Sequence, residues 1–157
     1  MSGVIDGRRT LAAGLALLLS ALLLIGSTTP ADAQGDRFGR RRQMLALTNE
    51  DRQERDRREL GFAATLSKYA KSHSAAMARK GYLFHSTDEQ LRDALEGYDW
   101  SIGGENVGVG GSLDTLEAAF MASKLHRQNI LRPDYQRAAV GVIRDGDRFW
   151  VTVIFYG

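Results

Sequence analysis

The chain has 157 residues, a formal net charge of +2 and 25% charged residues, with three histidines and no cysteine. So slight a positive excess gives no reason to expect a nucleic-acid partner. Without cysteine neither a disulfide framework nor a thiolate metal site can form, so a domain of this size must be held by packing alone.

The N-terminal segment reads as an export signal. Arg8 and Arg9 make a basic start, and Leu11 to Ile25 form an apolar run shorter than the roughly 18–20 residues of a membrane span. Ala31-Asp32-Ala33 supplies a small-x-small cleavage site, so residues 1–33 are expected to be removed, leaving no transmembrane helix, the alternative being an uncleaved anchor. The protein is then exported, to the cell envelope or beyond. Residues 34–42 carry Gly35, Gly39, Arg37 and Arg40 to Arg42, and read as a basic flexible lead-in. That arm is either solvated or a contact for an acidic envelope surface. The domain proper is expected over 43–157.

A helix is expected from Gln43, with Met44, Leu45 and Leu47 as its apolar start. Through Glu50 to Glu59 the i,i+4 pairs Asp51/Arg55 and Glu54/Arg58 predict a solvated helical face, with Gly61 as the stop. A second helix follows over 64–79, with Leu66, Tyr69, Ala70, His73 and Met77 on one stripe. That stripe makes His73 a hydrogen-bonded core residue rather than a ligand. Gly81 ends the helix and Thr87 to Leu95 forms a short one, with Asp88 and Glu89 near its N-terminus.

Gly97 to Trp100 and Gly103-Gly104 read as turns. Gly104 to Gly111 is glycine-rich but lacks the spacing, preceding strand and lysine of a phosphate loop, so its glycines are read as backbone fit around Glu105. Asp114-Thr115-Leu116-Glu117 has capping-box form and starts a helix running to about Leu125 or beyond, with Pro133 preventing a longer one. Ala138 to Arg144 and Arg148 to Phe155 are strand-like around the Asp145-Gly146 turn. The second is apolar enough to be a central strand covered on both faces.

Three polar motifs carry chemistry: Phe84-His85-Ser86, Gly104-Glu105-Asn106 and His126-Arg127-Gln128-Asn129. Imidazole and carboxylate together can bind a metal, move a proton or hold a polar ligand. On a regular helix, Ala119, Ser123 and His126 fall within about 60° of one another, and Glu117 about 180° from His126. Glu117 is therefore excluded from the cleft and read as an N-terminal charge. Ser86 reads as a turn or cap hydroxyl, since no nucleophile elbow surrounds it.

In this order the motifs resemble the CAP superfamily (cysteine-rich secretory, antigen-five and pathogenesis-related proteins), in its bacterial SCP-like branch. The matching stretches are Leu45 to Arg52, His73 to Met77, Gly81 to Ser86, Gly104 to Val107, Met121 to Leu131, Val140 to Val142 and Phe149-Trp150. The resemblance implies an α+β fold, a three-layer α-β-α sandwich with a central, mainly antiparallel sheet and a surface cleft. It places His85, Glu105 and His126 at that cleft. Lys124-Leu125 stands where the family has Pro-Gly, Phe120 where it has tryptophan, and Ser123 where eukaryotic members have a second glutamate. Glu59 to Phe62 replaces a Gly-Leu-Pro-Pro-like stretch.

The first reading is an exported binding module whose ligand is a lipid, an envelope glycan or a partner protein, bound at His85, Glu105, Ser123 and His126. His85, Glu105 and His126 with an open fourth position would suit a divalent metal such as zinc; a His85–Glu105 hydrogen bond is the alternative use of the same atoms. The second reading is a metal-assisted hydrolase of envelope peptide or glycan, and the third a structural or signalling domain acting through another surface. Asn49, Asn106 and Asn129 are expected to serve as internal hydrogen-bonding posts.

Overall fold

A computed structural model describes residues 30–157. The apolar run Leu11–Ile25 lies outside the described residues. Helix α1 (Pro30–Gln53) is followed by strand β1 (Gly61–Phe62), helices α2 (Ser67–Lys80) and α3 (Asp88–Leu95), and strand β2 (Gly103–Gly110). Helices α4 (Leu113–Ala122) and α5 (Lys124–Ile130) and strands β3 (Arg137–Asp145) and β4 (Arg148–Tyr156) complete the chain.

The sheet order is β1-β3-β4-β2; β1 and β3 are parallel and the other pairs antiparallel. Interior strand β4 sends Val151, Val153 and Phe155 into a core with Met44, Leu45, Leu116, Phe120 and Ile130, from α1, α4 and α5. Its alternate residue Ile154 packs with Leu66, Ala70 and Leu95 of the α2–α3 side. This two-sided burial makes an α-β-α sandwich and explains the unbroken apolar run of β4.

One close approach sets the spacing of the α2 layer. A Cβ on Gly141 would overlap the backbone carbonyl of Ala70 and meet the amide of Lys71. Ser67 Oγ accepts from Val140 N at 3.0 Å, and Ser74 Oγ donates to Gly141 O at 3.2 Å, so hydroxyls replace bulk at this contact.

Several expectations are corrected. α1 starts at Pro30, not Gln43, so residues 34–42 are helical rather than an irregular lead-in. Two arginines there stack on rings: the Arg40 guanidinium lies 5.5 Å from the centre of the Phe149 ring, and that of Arg42 5.8 Å from the Phe62 ring. α1 also ends at Gln53 rather than near Glu59, because the chain turns through Asp56 at a φ of 57°. Glu54 and Arg58 therefore share no helical face.

Nor is that face wholly solvated, since Arg52 is fully buried. The glycine-rich stretch is strand β2; its glycines hid the period-two pattern. A Cβ on Gly108 would come within 2.8 Å of the Phe120 ring, so the bare backbone lets α4 lie close against the strand. Finally, Ser123 has extended geometry (ψ 124°) and divides the expected single helix into α4 and α5.

Glu117 does not act as an N-terminal charge. Ser112 caps α4, accepting from Thr115 N at 3.1 Å, and Asp114 is the acid of the first turn. Glu117 is only 3% exposed and faces α1. Burial pushes its carboxyl up to about 8, with Asp51 raising it further and Thr48 opposing. Thr48 Oγ1 is near enough to oppose the shift but outside hydrogen-bonding geometry, and neither Glu117 oxygen has a partner among the described residues.

Two outcomes are expected. Gly141→Ala should cost about 3 kcal/mol or more in a urea melt, because the contact is backbone on backbone. For Glu117 the folded state holds the proton more tightly than the unfolded one. Its contribution is thus intact below about pH 4.5 and is lost as pH rises towards about 8. The stability gain of Glu117→Gln over the parent should widen from about pH 5 to pH 8 in denaturation curves.

Candidate functional site

The geometry around His85 is built from α2. Gly81 closes that helix in the left-handed conformation at φ 74°, and the chain then runs back along the helix. His73, 8% exposed, meets the Phe84 carbonyl oxygen at 2.8 Å through Nε2. One turn earlier, Tyr69 donates its hydroxyl to Ser86 Oγ at 3.0 Å. Two residues at i,i+4 spacing on one helical face thus grip the positions before and after His85.

Glu105 comes from β2, whose outer edge has no strand partner. Its carboxylate accepts from His85 Nδ1 at 2.9 Å, Ser86 N at 2.9 Å and Ser86 Oγ at 2.8 Å. A carboxylate only accepts, so Nδ1 carries a proton, and Nε2 is left as an acceptor in the neutral ring or a donor in the imidazolium. The carboxylate is nearly enclosed, its side chain 5% exposed against 57% for His85. Ser86 is therefore no turn or cap hydroxyl: Thr87 caps α3, and Ser86 donates twice to the buried acid. Neither Ser86 nor Tyr69 stood out as a site residue in the sequence, where adjacency to His85 was the one signal for Ser86.

His126 lies on α5, which packs against the other face of β2. Asn106, fully buried, donates to the His126 carbonyl oxygen at 3.1 Å. Asn129 donates to the carbonyl oxygen of Glu105 at 3.2 Å and to Asn106 Oδ1 at 2.9 Å, fixing α5 to the strand. The His126 ring lies 5.0 Å from that of Phe120, and its proton affinity is lowered by burial and then by the charge of His85. The two imidazoles are thus in electrostatic reach across the strand edge. Ser123 makes no side-chain hydrogen bond to His85, Glu105 or His126; it marks the α4–α5 break. Asn49 lies elsewhere, exchanging hydrogen bonds with Leu60 N and O at 2.9 and 3.2 Å.

This arrangement does not fit a three-ligand metal centre. Among the described residues no group of three or more His, Asp or Glu side chains is placed to hold a metal ion. Both oxygens of Glu105 are already engaged by His85 and Ser86.

Residues 45–155 match the family described as CAP: Cysteine-rich secretory protein family. The chain belongs to this family. This CAP domain is 32% identical over 110 residues to the protein YkwD of Bacillus subtilis (strain 168), covering 67% of the chain and 43% of YkwD. It therefore spans less than half of that relative. A crystal structure of an extracellular SCP-domain protein from Bacillus anthracis str. Ames matches with a TM-score of 0.66 and 25% identity, covering 83% of this chain and 44% of that one. A cysteine-rich secretory protein from Staphylococcus aureus Mu50 matches in fold, with a TM-score of 0.64, 24% identity and coverage of 76% and 38%. No helix of the CAP domain's described residues is long and apolar enough to cross a membrane.

The coupling of the two histidines can be checked by NMR titration. His85→Gln should raise the His126 pKa by removing the charge across the edge. The value should stay below that of a free histidine, because burial is the larger cause.

Proposed function

We propose that this CAP domain is an exported binding module that takes its ligand at the edge of β2, between His85 and His126. The observation that carries this reading is the Glu105 carboxylate, which orients His85 through Nδ1 and leaves Nε2 facing outward. Such an arrangement holds a hydrogen-bonding head group without further preparation. Exposed apolar side chains adjoin both histidines: Tyr82 and Leu83 before His85, and Leu125 before His126. They favour a lipid over an envelope glycan, the head group meeting the imidazoles and the apolar part the rim. Export after cleavage at Ala33 accords with the extracellular description of the B. anthracis relative.

Binding is favoured over hydrolysis because the nearest hydroxyl is committed. Ser86 Oγ accepts from Tyr69 and donates to Glu105, so it is not poised as a nucleophile for either imidazole. Envelope lipid presented in vesicles to the purified protein should be retained without turnover, and Glu105→Gln should weaken retention about tenfold or more with circular dichroism unchanged. Turnover abolished by Glu105→Gln would replace this reading with a hydrolase, and indifference to the substitution would leave a structural or signalling domain. Zinc titrated into metal-free protein should show no saturable binding that depends on both His85 and Glu105.

A further inference from the structure

A second cleft, of about 260 Å³, lies between α1 and α4, away from both histidines. Carboxyl groups line it from both sides: Glu50, Asp51 and the adjoining Glu54 along α1, and Asp114 and Glu117 on α4. Leu47 and Met121 supply apolar wall. Glu117 is the innermost acid, and among the described residues neither of its oxygens has a hydrogen-bond partner. Arg55 bonds Asp51 at 2.9 Å and Glu54 at 3.2 Å but does not line the cleft. Thus no basic side chain of the lining answers Glu117.

We propose that this cleft binds a primary ammonium group on a short aliphatic stem, with Glu117 and the carboxylates beside it in the lining accepting its hydrogens. The unpartnered acid at the inner end supplies acceptors, the apolar wall takes the methylenes, and the acidic rim draws cations in. A metal ion would need several converging ligands, and no such group exists among the described residues. An ammonium needs only acceptors. The source is either a lysine side chain of a partner polypeptide or a free polyamine. Near neutral pH the buried Glu117 carboxyl holds a proton, so capture of the cation should release it. Glu50, Asp51, Glu54 and Asp114 face the same space and Arg55 offsets two of them, so Glu117 supplies the steepest pH response.

The test is titration of the full chain with n-butylamine hydrochloride, against sodium chloride at matched ionic strength, followed by backbone amide NMR. Saturable shifts confined to residues 45–54 and 113–121 are expected, with a dissociation constant of about 1 mM or lower. Binding should tighten as pH rises from about 6 to 8 and weaken at least tenfold in Glu117→Gln. Ala118→Phe, which fills the lining and removes no charge, should also abolish it, so the result does not hang on one variant. Non-saturating shifts, equal shifts with sodium chloride, or unchanged affinity in Glu117→Gln would overturn the proposal. Acetyl-Gly-Lys-Gly-amide compared with 1,4-diaminobutane then assigns the source: tighter peptide binding identifies a polypeptide partner, and tighter diamine binding a polyamine.

Discussion

The guanidinium of Arg52 is a buried charge that meets no carboxylate among the described residues, and much of the fold is organised around it. Nε donates to the carbonyl oxygen of Arg58 at 2.7 Å, Nη1 to those of Ile130 at 2.6 Å and Arg132 at 3.0 Å, and Nη2 more weakly to Tyr135 at 3.5 Å. One side chain thus binds the exit from α1, the last turn of α5 and the lead into β3. Arginine is suited to this because its planar fork spreads several donors over separate acceptors. Burial, then Arg57 and Arg58, lower its proton affinity, and the carbonyl dipoles stabilise the charge instead. Since Ile130 follows Asn129, the constraint continues through Asn129 to the backbone of Glu105.

Strand β2 carries that order to the candidate site. Glu105 leaves the face towards α2, and Asn106 the face towards α5. The His85 loop is gathered by the first and α5 by the second, so the candidate site straddles a sheet edge. A one-residue slip against β4 would exchange the two roles, and pairing of Glu105 with Ile154 and Asn106 with Val153 holds the register. The facing glycines Gly104 and Gly108 make room there for Tyr135 and Phe120.

The fold class was legible because α2 carries a helical stripe, because two apolar runs flank the Asp145-Gly146 turn, and because the motifs occur in a recognisable order. β2 was not, since glycine contributes no side chain to an alternating pattern. Arg52 read as solvated because it stands among charges that are; its burial depends largely on carbonyl groups some eighty positions away. Glu117 was misread because a capping motif describes only its own helix, whereas α1 packs over it. His85 and Glu105 could be singled out by residue type. The grip of Tyr69 and Ser86 could not, as it depends on how the loop after Gly81 folds back on α2.

The backbone contact at Gly141 has a consequence for how such a domain can diversify. The α2 layer has no slack, since a single methyl group would prise helix from sheet, and with it the Tyr69–His73 face that steadies His85. The interruption at Ser123 is tolerant by comparison: Lys124 and Leu125 are exposed and replace a proline and a glycine while the chain still breaks there. The α2 side of the candidate site is thus fixed by backbone contact, whereas at the start of α5 the exposed positions 124 and 125 accept other side chains while Asn106 and Asn129 hold the helix itself. New ligand preferences would accumulate on the α5 side, leaving the imidazole–carboxylate pair untouched.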